Sequence, residues 1–469
     1  MFLHELIAND GTLFIHLDWN VGHYAKVVAD QVFGADQFRN EVIWYYTNKL
    51  GTGGNTFDKH HDTLLVYVKG DRWVHNALMR PVKNQKMQPV TQKIEGERIW
   101  LRDGEGKRRY QMGNAETKLG DVWEVPYINP VSNERLGYAT QKPEKLLEMI
   151  IEASSEPNDL VLDCFCGSGT SAAVAEKLNR RWVACDLGRF AIQTTRKRLL
   201  DISNVKPFVV QNLGKYERQQ WQVAEFPSNG KNRLEEQRER ETAYRKFILE
   251  LYHATPVSGH AWLHGVKSGR MVHVAAVDAP VTRADVNAIA AEVWRASGKG
   301  PNSPQKPAVD VLGWEFALDM NETAKQVAAE ARVDAAFKKI PREVLERKAV
   351  EQGDVYFFEL GALKVDTKIK KRELTLMLAD FVIPSDDVPA EVRGAIKHWS
   401  QMVDYWAVDW DFKDDTFHNQ WQSYRTRKSP KLELSVKHEY VEPGTYTVVV
   451  KVIDILGNDT TKMLSVEVK

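Results

Sequence analysis

Hydrophobic and polar positions switch between two periods along the first 215 residues. Thr12 to Asp18 (TLFIHLD) is a run suited to a buried strand, and Val21 to Phe33 repeats its apolar residues at helical spacing. Asn40 to Thr47 (NEVIWYYT) and His61 to Val68 (HDTLLVYV) again have strand character. After a stretch without clear periodicity come a helix over Glu144 to Ser154, an apolar run at Leu160-Val161-Leu162, a helix over Thr170 to Leu178, a strand at Arg181 to Asp186 (RWVACD) and a helix over Arg189 to Ile202. Strands alternating with helices predict an α/β fold with a mostly parallel sheet covered on both faces.

The second half changes texture twice. Lys231 to Leu251 is a highly charged helical stretch, expected as a solvated linker helix within residues 226–252. Strands at Met271 to Val277 and Val309 to Phe316, with helices at Arg283 to Ala296 and Glu322 to Ala331, predict a small α/β domain over residues 253–371. From about Arg372 to residue 469 the pattern is all-β, ending in two alternating strands joined by a Leu-Gly-Asn-Asp turn.

Composition narrows the class without choosing a function. The chain has 43% hydrophobic and 27% charged residues, ordinary for a globular protein of several domains. It shows no apolar run of membrane-spanning length and no secretory pattern, so a cytoplasmic location without membrane contact is expected. Cys164, Cys166 and Cys185 fall in one region, and the first two are too close for an ordinary disulfide, which fits a reducing compartment. No partner histidines or second cysteine pair stand at ligand spacing, so no metal site is expected.

Net charge is zero, but its distribution is uneven. Between Asp71 and Lys118 there are 11 Lys or Arg against 6 Asp or Glu. Lys83, Lys86, Lys93, Arg98, Arg102, Lys107, Arg108 and Arg109 make this irregular, basic segment the candidate DNA-contacting region, because phosphates reward Lys and Arg while base edges reward Arg and Gln.

The most informative ten residues are LDCFCGSGTS, Leu162 to Ser171. A strand ending in a carboxylate and followed by Gly-x-Gly and a helix N-terminus leaves a bare turn beside a crevice at the strand ends. No lysine follows Gly169 as a phosphate loop requires, and Ala172 stands where the dinucleotide fingerprint has its third glycine. Asp186, at the end of the next strand, is placed to meet ribose hydroxyls. A ribose-bearing ligand with a zwitterionic end, such as S-adenosylmethionine, suits this set.

Several blocks together resemble the β-class amino DNA methyltransferases, particularly the adenine-N6 modification subunits of type III restriction systems. They stand in that family's permuted order: GTLFIHLDWNVGHYAKVVADQVFG, FRNEVIW, DKHHDTLLVYVKG, DVWEVPYINPVSNERLGYATQKPEKLLEMIIEASS and DLVLDCFCGSGTSAAVAEKLNRRWVACDL. The resemblance implies a Rossmann-like methyltransferase sheet over residues 1–225, with residues 71–118 as target-recognition insert. It further implies S-adenosyl-L-methionine as cofactor, held by Asp163, Cys164, Phe165, Gly167, Ser168, Gly169, Thr170 and Asp186 together with the Thr140-Gln141-Lys142-Pro143 segment. The partner it implies is double-stranded DNA. Cys164 replaces the proline usual in the family, which loosens the turn but keeps its glycines.

One element of the family is missing. Its catalytic tetrapeptide, Asp/Asn/Ser-Pro-Pro-aromatic, lies some tens of residues before the TLFIHLD strand, and this sequence contains no Pro-Pro dipeptide. Glu124-Val125-Pro126-Tyr127 is a decoy, and His16 and Asp18 are expected to be structural. No catalytic residue is therefore assigned, and the chain alone is expected to be inactive: a truncated product, or one half of a split enzyme completed by a second chain, with a restriction or helicase subunit as a further partner. Cytosine-N4 transfer and a non-catalytic DNA-binding or specificity subunit are the alternatives. In the second half, Asp310 to Phe316 lacks the further residues a nuclease needs. Val408 to Phe412 with HEYVEPGTYTVVVKVIDILGN resembles the PKD-type immunoglobulin-like sandwich, whose Trp-Asp-Phe and Pro-Gly-Thr-Tyr strands would face each other across a core.

Overall fold

The structure is a computed structural model. It describes residues 1–49, 57–94, 97–211, 233–298, 306–317, 328–345, 350, 355, 357–359, 361–383, 390–413, 416–426 and 429–469. The chain divides into two compact units, Met1–Pro207 and Phe208–Lys469. Among the described residues no helix is long and apolar enough to cross a membrane.

In the first unit, the short helix α1 (Phe2–Leu6) precedes β1 (Thr12–Leu17), α2 (Gly22–Phe33), β2 (Phe38–Tyr45) and β3 (His61–Val68). The helix α2 begins one residue after a turn fixed by Asp18, whose Oδ1 accepts the amides of Asn20 at 3.0 Å and Val21 at 3.3 Å. Strand β3 runs antiparallel to both β1 and β2 and lies between them. The expected strand–helix–strand unit is present, but β3 has slipped into its gap, so the sheet is mixed rather than mostly parallel. The continuous apolar run of β3 is what a central strand needs. Leu65 and Tyr67 pack under α2 with Leu13 and Ile15, while Leu64 and Val66 point to the other face with Val42 and Trp44.

The segment expected to be irregular is a β-ribbon. Strands β4 (Met79–Pro81), β5 (Met87–Pro89), β6 (Thr91–Ile94), β7 (Glu97–Trp100), β8 (Tyr110–Met112) and β9 (Glu116–Lys118) pair as β4 with β9, β5 with β8 and β6 with β7, all antiparallel. Such short strands carry too few apolar residues for any sequence period to reveal them. The chain then adds β10 (Val122–Glu124) parallel to β2, which completes the sheet order β1-β3-β2-β10.

Helix α3 (Glu144–Ser154) covers the Trp44 face of this sheet through the fully buried Leu146. Its Leu147 belongs also to the next layer, where Ile151 meets Val174 and Ala175 of α4 (Thr170–Lys177). There β11 (Leu160–Asp163) and β12 (Arg181–Ala184) form a parallel pair, followed by α5 (Arg189–Leu200). Val161 and Trp182 pack inward, whereas Leu160, Leu162 and Val183 on the opposite face are exposed. Parallel strands are ordinarily covered on both faces, so this pair is only half clothed by the described residues.

The second unit opens with α6 (Arg233–Leu251), and here an expectation is corrected. Tyr244, Ile248 and Leu249 of that helix are buried against Val272, Val274 and Leu312, so it is part of a domain core rather than a solvated spacer. Its apolar stripe occupies only the C-terminal half, and the charged first half masks it in the sequence. Strands β13 (Thr255–Pro256), β14 (Gly265–Lys267), β15 (Arg270–Val274), β16 (Ala308–Gly313), β17 (Asp334–Lys339) and β18 (Phe358–Glu359) follow in spatial order. The helix α7 (Arg283–Ala296) covers the face opposite α6. The helix expected over Glu322 to Ala331 falls mostly on residues 322–327, outside the described residues.

The all-β region starts at Ala362, earlier than Arg372. One sheet orders β19 (Ala362–Lys370), β20 (Glu373–Val382) and β23 (Ser435–Glu439); the other orders β22 (Trp421–Tyr424), β21 (Val403–Asp409), β24 (Gly444–Asp454) and β25 (Asp459–Val468). A shared core of Leu374, Leu376, Phe381, Trp406, Val408, Val450 and Val452 lies between the sheets. The Trp-Asp-Phe and Pro-Gly-Thr-Tyr segments do not oppose each other across it. They are neighbours in one sheet, with Val408 opposite Val450, because β21 and β24 pair antiparallel.

Candidate functional site

Two parallel strands end side by side, and their last residues are acidic or lead directly to an acid. Asp163 closes β11, and Asp186 follows β12 by two residues. Between β11 and α4 the turn is held by backbone bonds from Cys166 N to Cys185 O (2.9 Å) and from Gly169 N to Cys166 O (2.7 Å). Gly167 has φ +50° and Gly169 has φ +72°, in the left-handed region where glycine is favoured. A Cβ on Gly169 would stand 2.6 Å from the Thr195 side chain, and one on Gly167 would stand 3.1 Å from the Tyr138 ring. Conformation favours glycine at both positions, and at Gly169 space requires it as well.

Asp186 reaches this turn through its carboxylate. Oδ2 accepts the Gly167 amide at 2.9 Å and Oδ1 accepts the Gly188 amide at 2.8 Å. Each oxygen keeps a second lone pair for a ligand hydroxyl. Asp163 Oδ1 accepts the Phe165 amide at 3.1 Å. The Phe165 ring is 82% exposed beside the turn. Tyr138 and Phe190 stack with centroids 6.0 Å apart and planes 10° from parallel, next to Gly167 and Asp186. Burial and the negative Asp186 push the Tyr138 phenol above its usual range, so it stays a neutral aromatic surface.

The Thr140 to Pro143 segment is joined to the turn by Thr170. Its hydroxyl donates to the Lys142 carbonyl at 3.2 Å and accepts from Arg198 Nη1 at 2.8 Å. Arg198 is buried and also pairs with Glu144 at 3.0 Å, while Lys177 reaches the other oxygen of Glu144 at 2.6 Å. Burial opposes ionisation of Glu144, yet these two cations leave its carboxyl below the ordinary range. Gln141 is buried and braces its own loop, donating to Glu134 O at 2.7 Å and accepting from Leu136 N at 2.8 Å. Pro143 caps α3, Thr140 is exposed, and Ser168 is buried with its hydroxyl 3.2 Å from that of Thr170.

The expected residues therefore separate by role. Asp163, Phe165, Gly167, Gly169 and Asp186 shape the open crevice. Ser168, Thr170, Gln141, Lys142 and Pro143 hold it in place from behind. Tyr138, Phe190 and Thr195 were absent from the sequence-based set. Tyr138 stands inside the GYATQKP block, but no local pattern marked its stack with Phe190 or the packing of Thr195 against the turn. Cys164, Cys166 and Cys185 are free thiols; burial raises Cys164 and pushes Cys166 up to about 11, so neither of these two is a ready nucleophile.

A second polar cluster sits at the carboxyl end of β1. His16 Nε2 lies 3.0 Å from Asp62 Oδ2, and Trp44, Tyr46 and Tyr127 form aromatic contacts around it. Burial raises Asp62, but hydrogen bonds from His16 and Tyr46, with the charges of His16 and Lys142, outweigh it and keep the carboxyl ionised. Tyr127, in the decoy Val125-Pro126-Tyr127, exchanges two hydrogen bonds with the Asn48 side chain, at 2.7 and 2.8 Å. Asp18 is a turn cap, as expected. In the second unit, Asp310 accepts from Tyr252 at 2.7 Å and Arg270 at 2.6 Å and is a buried structural acid. No group of three or more potential metal ligands occurs among the described residues.

All eight basic candidates on the ribbon are exposed. Arg108 stacks over Trp100 at 4.5 Å, Arg102 folds onto the Gly106 carbonyl at 2.6 Å, and Lys107 pairs with Glu105 at 2.9 Å.

Residues 2–197 match the family model described as DNA methylase, the N6/N4 methyltransferases. Type II methyltransferase M1.MboII of Moraxella bovis is 34% identical over 189 residues, covering 39% of this chain and 70% of that protein. DNA adenine methyltransferase YhdJ of Escherichia coli is 25% identical over 205 residues, covering 42% and 63%. Type II methyltransferase M.EcaI of Enterobacter cloacae is 23% identical over 250 residues, covering 42% of this chain and 55% of its own length. A solved M1.HpyAVI–SAM complex covers 42% of this chain and 78% of its own at 21% identity, with a TM-score of 0.29, too low to add to the assignment. On the family match and the first of these relatives, the chain belongs to the DNA methylase family.

Proposed function

We propose that residues 1–225 form a site-specific DNA methyltransferase domain that uses S-adenosyl-L-methionine and acts on the N6 amine of adenine in duplex DNA. The observation that carries this reading is the bare turn at Gly167 and Gly169, tied to Asp186 and walled by Tyr138 and Phe190, within a chain of the DNA methylase family. The residues present fit the cofactor. Two glycines in the left-handed region keep the turn bare and tight against Thr195 and Tyr138, Asp186 offers lone pairs to ribose hydroxyls, and the Tyr138–Phe190 pair offers an apolar surface for an adenine ring. Asp163 would meet the ammonium of the methionine moiety. When bound, the cofactor supplies an electrophilic methyl group on a sulfonium. The adenine relative YhdJ supports N6 as the target amine.

The protein's own residues would bind and orient the cofactor, but the sequence has no Pro-Pro dipeptide of the kind that would grip the target amine. On this reading a tetrapeptide with paired prolines would be supplied by a second polypeptide, and the exposed apolar face of β11 and β12 is where such a segment would pack. The second-unit domains, read as the small α/β domain and a PKD-like sandwich, would dock or space rather than catalyse.

The test is transfer of labelled methyl to duplex DNA, followed by nucleoside identification. The chain alone should transfer nothing, and adding a polypeptide with the tetrapeptide and its flanking strand should yield N6-methyladenine. N4-methylcytosine as the product would replace the adenine reading with the cytosine one. Transfer by the chain alone would refute the claim that it lacks a complete catalytic apparatus.

A further inference from the structure

The ribbon between Met79 and Lys118 is a fork with two unlike faces. Its stem is made by β4 with β9 and β5 with β8. At the head of the stem three backbone amides close a ring: Val90 N donates to Arg109 O at 2.8 Å, Arg109 N to Leu101 O at 2.9 Å, and Leu101 N to Val90 O at 2.9 Å. Two fingers leave this ring. One is the β6–β7 hairpin, and the other is a tight turn in which Arg102 bridges Arg108 and Asp103 Oδ1 accepts the amides of Glu105 at 3.0 Å and Lys107 at 2.9 Å.

Register decides what each face carries. Residues directly opposite in an antiparallel pair share a face, and successive residues alternate. Thr91 stands opposite Trp100 and Lys93 opposite Arg98, so these four share one face of the first finger. Gln92 stands opposite Ile99 on the other face. The guanidinium of Arg108 lies 4.5 Å above the Trp100 ring, which brings the second finger's cation onto the first face. Three cations and an exposed indole thus converge on one side, while Gln92 and Ile99 lie on the other. Trp100 belongs to none of the hydrophobic cores, so packing within the fold does not account for it.

Resting on the DNA methylase reading, we propose that the face bearing Thr91, Lys93, Arg98, Trp100 and Arg108 is the surface that meets duplex DNA, while Gln92 and Ile99 face away. A two-stranded ribbon fits the major groove, where Arg recognises guanine edges in a bidentate manner. The three cations would also displace counterions condensed on the DNA phosphates, a gain that falls with salt. Lys83 and Lys86 on the stem and the Glu105-paired Lys107 are not part of this face, so six of the eight basic candidates divide into three readers and three bystanders.

The test uses the full chain and a labelled duplex, with affinity measured by fluorescence anisotropy at several salt concentrations. K93A/R98A/R108A is compared with K83A/K86A/K107A, which removes the same charge from elsewhere on the ribbon. The face triple should lose at least tenfold more affinity than the other triple and lower the log–log salt slope by about 2 to 3. Equal losses in the two triples would overturn the facial assignment while leaving DNA binding intact. No duplex binding by the unaltered chain would instead overturn the DNA reading on which it rests. R98K/R108K keeps the charge and guards against a folding defect: it should retain the salt slope and lose discrimination between duplexes of different sequence, and unchanged discrimination would count against base reading by this face.

Discussion

At the scale of single residues, the site depends on two glycines and one carboxylate. Gly169→Ala forces a Cβ against Thr195 at a left-handed residue, so it should destabilise the first unit by about 1–3 kcal/mol. Urea denaturation checks this, and an unchanged midpoint would show that the turn yields. Asp186→Asn replaces a carboxylate that accepts from two amides with a group having a single acceptor oxygen. It should weaken S-adenosylmethionine binding by at least about tenfold, the equivalent of 1.4 kcal/mol, because charge-assisted bonds are the stronger kind. The glycines and Asp186 were legible because a strand–turn–helix with a following acidic strand end constrains residue type at fixed positions. Tyr138 and Phe190 were not, since stacking between residues 52 positions apart leaves no local pattern.

At the scale of elements, the sequence indicated which segments are strands and helices better than how they pair. The TLFIHLD and HDTLLVYV runs announced β1 and β3, but nothing in either run says that β3 lies antiparallel between β1 and β2. Pairing is decided by which faces can be buried, and both faces of β3 are. The basic ribbon was legible only as charge. Helix α3 joins two cores through Leu146 and Leu147, so Leu146→Ala should cost about 2–5 kcal/mol, measured by urea denaturation followed with tryptophan fluorescence.

A pH-dependent element lies in the second unit. His264, on the turn into β14, and His273, on β15, have rings 5.0 Å apart, and burial depresses their pKa values to about 3 and about 4. In the unfolded chain both titrate near 6.5, so between about pH 6.5 and 4 the unfolded state binds more protons and stability falls as pH falls. His264 Nδ1 accepts the Val274 amide at 2.9 Å, a bond that Asn can imitate. His264→Asn should therefore flatten the acid limb of the stability profile, and an unaltered limb would assign the acid sensitivity elsewhere.

At the scale of the whole molecule, the family match ends at residue 197, while the chain continues through an α/β domain and a two-sheet β region. The chain spans 55% of the length of M.EcaI and 70% of M1.MboII. Within the shared part, the structure contains a glycine turn tied to Asp186 at the ends of β11 and β12 and an exposed basic ribbon, which we read as the cofactor site and the DNA-contacting surface. On the proposed reading, the absence of a Pro-Pro dipeptide sets these two binding roles apart from catalysis, and cofactor binding is the part of the proposal that the chain would display by itself. The most direct measurement is saturation-transfer NMR of S-adenosylmethionine with the purified chain and with a Gly169→Val variant whose fold is checked by circular dichroism. The account predicts ligand saturation with the unaltered chain, strongest at the adenine protons, and its loss in the variant. No saturation with the unaltered chain, or equal saturation in both, would contradict it.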